Sequence, residues 1–244
     1  MSLKQILKNI FLPKVDEFIV PDEKKEASKE KKNVEFPELK DAWTFFKSEK
    51  FDDARAISEK YAEDPNAELQ FEAKKLIALT YFRQGNYEKS EGIFETLCLH
   101  STNPDDWFHL VTSLTLNSKF KESEKTFSKT LKYHKEFGTH ENISIPNLRF
   151  YYMQGLKDMK QFDLAFTQLI RLTDFYRQLK ITDSTFLYMR GVPFFEYTID
   201  SSKEILENIP SRRSKNWIDY IRKGVDKSGA NYLTEFEKKL NYTR

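Results

Sequence analysis

Apolar residues recur at steps of three and four along most of this chain, and that spacing lines one face of an α-helix. The stretch Tyr81–Phe94, YFRQGNYEKSEGIF, holds the end of one such helix, a Gly-Asn turn and the start of the next. Three other places share the pattern: EKFDDARAISEKYA from Glu49, SKFKESEKTFSKTL from Ser118 and KQFDLAFTQLIRL from Lys160. Each has a polar turn, then an aromatic, then a small residue three positions on. The aromatics are Phe51, Tyr87, Phe120 and Phe162; their small partners are Ala54, Ser90, Ser123 and Ala165. A small side chain at that point lets a neighbouring helix come close. The aromatics are spaced by 36, 33 and 42 residues (51 to 87, 87 to 120, 120 to 162), and the longest interval contains KEFGTHENIS, read as an inserted loop.

A second helix is expected before each turn. Pro37, Pro65, Pro104 and Pro146 stand where these helices should begin, a position at which the missing N–H of proline loses nothing. Asp64 and Asn103 precede two of them as expected N-caps. The repeating unit is therefore helix, short turn, helix, present at least four times.

These residues resemble the tetratricopeptide repeat family over roughly residues 35–180. Trp107, Leu110, Leu114, Phe120, Ser123 and Phe127 match it in the third unit, and Ile77, Ala78, Tyr81, Gly85, Tyr87, Ser90 and Phe94 in the second. Glu49, Ser118 and Lys160 replace the turn glycine that only Gly85 supplies, and Ser58 stands where a large apolar residue is usual. A related helical-hairpin solenoid fits the same pattern. The resemblance implies an all-α, right-handed superhelical solenoid of antiparallel hairpins, with C-terminal capping helices. It also implies a concave groove lined by the first helix of each hairpin. In this chain the groove residues would be Lys75, Leu79, Phe82 and Arg83, then Phe108, His109, Thr112 and Thr115, then Phe150, Tyr151, Gln154 and Lys157. Such an aromatic strip with a few cations suits a peptide or helix, with Phe82, Phe108, Phe150 and Tyr151 as anchors. Some family members clamp the terminal carboxylate of chaperone tails. Of the residues that would do so, Lys75 matches, while Leu79, His109, Asn147 and Tyr151 depart, which counts against a chaperone tail as partner.

The ends differ from this middle. Leu3, Ile6, Leu7, Ile10 and Phe11 share one helical face, and a charged tether follows Pro13, so residues 1–34 read as an amphipathic segment plus linker. Three destinations suit the segment: a cap on its own solenoid, a partner, or a membrane surface. Residues 181–244 read as a degenerate fifth unit and capping helices.

Composition narrows the functional classes. Lys and Arg total 40 against 38 Asp and Glu, so no global field draws in nucleic acid or a membrane. No apolar run suggests a membrane span. Cys98 is the single cysteine, which excludes an internal disulfide and fits a reducing, cytoplasmic setting. His100, His109, His134 and His140 form no tight ligand pair, and no phosphate-binding glycine loop or nucleophile elbow is present, so neither an enzyme nor a metal or organic cofactor is expected. Arg212, Arg213, Lys215, Arg222 and Lys223 form the one basic stretch, readable as an anion or anionic-lipid site or as a solvated helix face. The leading expectation is a protein- or peptide-binding scaffold; the alternative is a peripheral membrane or nucleic-acid factor using Leu3–Phe11 or this basic stretch.

Overall fold

A computed structural model describes residues 36–137 and 143–241, and every regular element among them is helical. They form two compact units that divide between Leu97 and Cys98, inside the stretch read from sequence as one run of hairpins. The segment Leu3–Phe11 and His140 lie outside the described residues.

In the first unit a 3-10 turn, Pro37–Leu39, runs into α1 (Lys40–Lys47). It is followed by α2 (Phe51–Glu59), α3 (Ala67–Arg83) and α4 (Tyr87–Cys98). Helix α1 packs on α2 and α3, and α2 on α3. Phe46 packs edge-to-face with both Trp43 (5.6 Å) and Phe51 (5.7 Å), a geometry aromatic rings favour.

The second unit begins with α5 (Pro104–Leu116) against α6 (Phe120–Phe137), then α7 (Ile145–Asp158) against α8 (Phe162–Leu179). Helix α7 also packs on α5. The remaining helices are short: α9 (Ser184–Met189), α10 (Phe195–Ser201), α11 (Lys203–Glu207), α12 (Ser211–Arg222) and α13 (Lys227–Glu237). Helix α8 supports α11 and α12, while α10 and α12 both meet α13.

One turn geometry recurs four times. Glu49, Gly85, Ser118 and Lys160 have φ of 62°, 82°, 62° and 60°, all left-handed. In each turn this residue donates its N–H to the carbonyl three residues back, on Phe46, Phe82, Thr115 and Lys157. The next N–H reaches back five residues, to Phe45, Tyr81, Leu114 and Leu156. This is the Schellman ending, which ties off orphan carbonyls at a helix C-terminus. The second helix then starts in a fixed register, with Ala54, Ser90, Ser123 and Ala165 at 0 % exposure and Ser58, Phe94, Phe127 and Leu169 enclosed one turn later. In α12, Ser214 and Ile218 are enclosed at the same spacing, but the helix follows Pro210 at φ −52° rather than a left-handed turn residue.

Two local expectations are corrected. Asn103 caps α5, but Asp64 caps no helix; its side chain accepts from the N–H of Asn66, and Asn66 is the N-cap of α3. The supposed loop KEFGTHENIS is helical over its first three residues, because α6 runs on to Phe137.

Candidate functional site: an aromatic strip in the second unit

The groove expected from sequence is largely interior. Phe108 and Phe150 are each 3 % exposed and belong to the core of the second unit, where Phe108 lies 6.3 Å from Phe127. His109, Thr112 and Gln154 are buried with them. The Thr112 hydroxyl donates to the His109 carbonyl, and Lys157 Nζ donates to Gln154 Oε1 at 2.7 Å. In the first unit Leu79 and Phe82 are buried. Lys75 is half-buried, and Arg83 pairs with Glu49 at 3.3 Å over the Phe46 and Phe51 rings. Burial lowers the Arg83 pKa and Glu49 opposes that shift. Phe82, Phe108 and Phe150 therefore hold the fold together and offer a partner almost no surface. The physical reason in the second unit is visible at Phe150, whose ring is covered by Tyr197 of α10 at 5.4 Å.

Tyr151 alone of the expected anchors keeps partial exposure, 5.8 Å from Phe150. Its phenol is pushed up by burial, with Tyr197 adding to the shift. In the stretch that supplies Tyr197 the chain leaves large apolar side chains in water: Tyr188 is 55 % exposed, Met189 70 %, Phe194 47 % and Tyr197 41 %. Single exposed apolar residues are ordinary, but four within ten positions are a marked excess. These residues fall in the stretch 181–244 expected to cap the solenoid, and none of them is among the expected partner-binding residues.

The scaffold beneath the strip is fixed by polar contacts. The Gly191 carbonyl accepts from Ser144 Oγ and from Asn147 Nδ2 at the start of α7. Tyr176, fully buried, donates its hydroxyl to the Pro193 carbonyl at 2.7 Å and shares a hydrogen bond with Thr198 at 2.8 Å. Phe195 turns inward onto Tyr176, ring edge to ring face, 5.1 Å apart. Phe194 and Tyr197 are thus displayed by a segment anchored on both sides.

Two of the five residues of the basic stretch are engaged in ion pairs. Arg213 pairs with Asp163 and lies over Phe166; Arg222 pairs with Asp219 at 2.7 Å and with Glu237. Arg212, Lys215 and Lys223 are exposed on α12. Lys223 shares a shallow hollow with Arg177, Asn216, Asp219 and Tyr220, where two cations sit beside a carboxylate. A second hollow, of about 380 Å³, lies between His134, Pro146, Phe175 and Arg190, and the His134 ring nitrogen Nε2 meets the Ile143 carbonyl at 2.6 Å. Among the described residues no cluster of three metal-ligating side chains occurs, and no helix is long and apolar enough to cross a membrane.

Compared with protein families, curated proteins and solved structures, the chain has no match in any of the three.

Proposed function

We propose that the chain is a non-enzymatic scaffold of tetratricopeptide-type hairpins, stacked as a right-handed superhelix, that binds a protein partner in the cytoplasm. The observation that carries the reading is the pair of exposed aromatics Phe194 and Tyr197, the latter packed at Phe150 next to Tyr151, on a segment held by hydrogen bonds to the Gly191 and Pro193 carbonyls. Large rigid aromatics on a fixed support lose little entropy on binding and make effective anchors. The four-fold recurrence of one turn geometry supports the repeat assignment. Two buried phenols whose pKa is displaced, those of Tyr152 and Tyr176, are engaged in structural hydrogen bonds, a pattern that favours a framework over a reaction centre. The ion pairs made by Arg213 and Arg222 weigh against the nucleic-acid and lipid alternative at that stretch.

The test is affinity capture from the native cell with the full chain and with a Phe194→Ser, Tyr197→Ser variant. Tyr197 also covers the Phe150 ring, so this variant is expected to keep the wild-type circular dichroism with a lower melting temperature, and Phe194→Ser alone, at a position 47 % exposed, is the control expected to keep both. Loss of a specifically captured protein supports the reading; identical capture by both proteins overturns it.

A further inference from the structure

Helix α10 divides lengthwise. Phe195, Thr198 and Ile199 face inward and are buried. The outward half carries aromatic and acidic residues. Phe194, the residue that enters the helix, and Tyr197 on its first turn are the exposed aromatics; Glu196 and Asp200, four apart and both exposed, form an acidic row on the helix.

The acidic row lacks a cation. Among the described residues neither Glu196 nor Asp200 makes an ion pair, and Asp200 instead accepts the Tyr232 hydroxyl at 2.7 Å. The cations nearest in sequence are engaged elsewhere: Arg190 lies over the Phe186 ring, and Lys203 pairs with Glu207 at 3.7 Å. Like charges four apart on a helix repel. Their field reaches Tyr232, whose pKa is raised by burial first, then by its hydrogen bond to Asp200 and the charges of Asp200 and Glu196. This local surplus of negative charge stands in a chain whose formal net charge is +2.

We infer that the α10 surface docks an amphipathic helix of a partner protein that carries a row of lysine or arginine beside its apolar row. The inference rests on the scaffold reading above and names the partner's chemistry. The apolar row covers Phe194 and Tyr197 and takes their area out of water. The basic row meets Glu196 and Asp200, which relieves their mutual repulsion and fixes the direction in which the helix lies. An acidic or neutral helix gains the first contribution only.

The test uses the full chain and two fluorescent probes, an amphipathic lysine–leucine helix and the same peptide with glutamate in place of lysine. Binding is followed by anisotropy at low and high salt for wild type, Glu196→Gln/Asp200→Asn and Phe194→Ser/Tyr197→Ser. The lysine probe is expected to bind wild type about tenfold more tightly than the glutamate probe, with salt weakening it. The carboxamide variant should lose about that factor and most of the salt dependence, and the serine variant should lose binding. Equal affinity for the two probes, or a lysine probe indifferent to the carboxamide variant, overturns the inference. So does tight binding of the chain to phosphatidylserine vesicles that depends on Phe194 and Tyr197. If cellular capture depends on Phe194 and Tyr197 but not on Glu196 and Asp200, the basic helix is refuted and the scaffold reading stands. If capture ignores both pairs, both fall.

Discussion

Ser118 and Gly85 hold the same backbone shape: φ is 62° at the serine and 82° at the glycine, and each N–H donates to the carbonyl three residues back. A side chain in that conformation crowds its own carbonyl, whereas glycine adopts it freely. Ser118→Gly is therefore expected to stabilise the second unit by about 1 kcal/mol, the strain relieved less the entropy glycine adds to the unfolded chain. Gly85→Ala is expected to destabilise by about the same amount, although an added Cβ would meet nothing within 4 Å, because the cost lies in the backbone alone. Urea denaturation of the two variants reads both signs.

Gly92 supplies the contrasting case. It lies inside α4 with ordinary helical geometry, and a Cβ there would also meet nothing within 4 Å. Gly92→Ala should stabilise by about 0.5–1 kcal/mol, since glycine loses more freedom in a helix than alanine does. A melting temperature below wild type would show that this helix face is covered in solution.

Tyr176→Phe should cost about 1–3 kcal/mol, because it leaves the buried Pro193 carbonyl and Thr198 hydroxyl short of a partner. Thr198→Val in the same background should cost less than it does in wild type, since the shared bond is already gone. A double-mutant cycle by chemical denaturation measures the coupling, and strict additivity would contradict the observed contact.

Alkali should destabilise the second unit above about pH 10, through its buried phenols. Burial pushes the Tyr152 phenol up to about 12, with the Ser123 hydrogen bond opposing the shift and Glu124 adding to it; Tyr176 moves in the same direction. Below the unfolded-chain value near pH 10 both states keep the proton and the stability is fully present. Above it the unfolded chain releases protons that the fold retains, so stability falls until the folded phenols ionise. The loss from Tyr152 is on the order of 2 kcal/mol between about pH 10 and 12. Tyr152→Phe should flatten that slope in denaturation curves taken across the range.

Much of the hairpin register is legible in the sequence, because it depends on short-range rules. An aromatic followed by a small residue marks the start of each second helix, and all four small residues are enclosed. Asn103 announces the start of α5 through its own capping oxygen. The left-handed turns at Glu49, Ser118 and Lys160 are not legible from residue type, since nothing in their side chains demands positive φ; the packing of the two flanking helices imposes it. The burial of Phe150 is equally hidden, because the ring that covers it, Tyr197, comes from a segment without clear periodicity. The aromatic strip escapes sequence reading for the converse reason: Phe194 and Phe195 are adjacent and chemically identical, and only the fold decides that one faces water and the other Tyr176.

The single thiol gives the molecule a built-in clock. Cys98 closes α4 and is 4 % exposed, while the next residue, Leu99, is 77 % exposed. A thiol reagent in solution reaches that sulfur only during the intervals when the helix end opens, so its labelling rate counts openings at one site, free of background from any other cysteine.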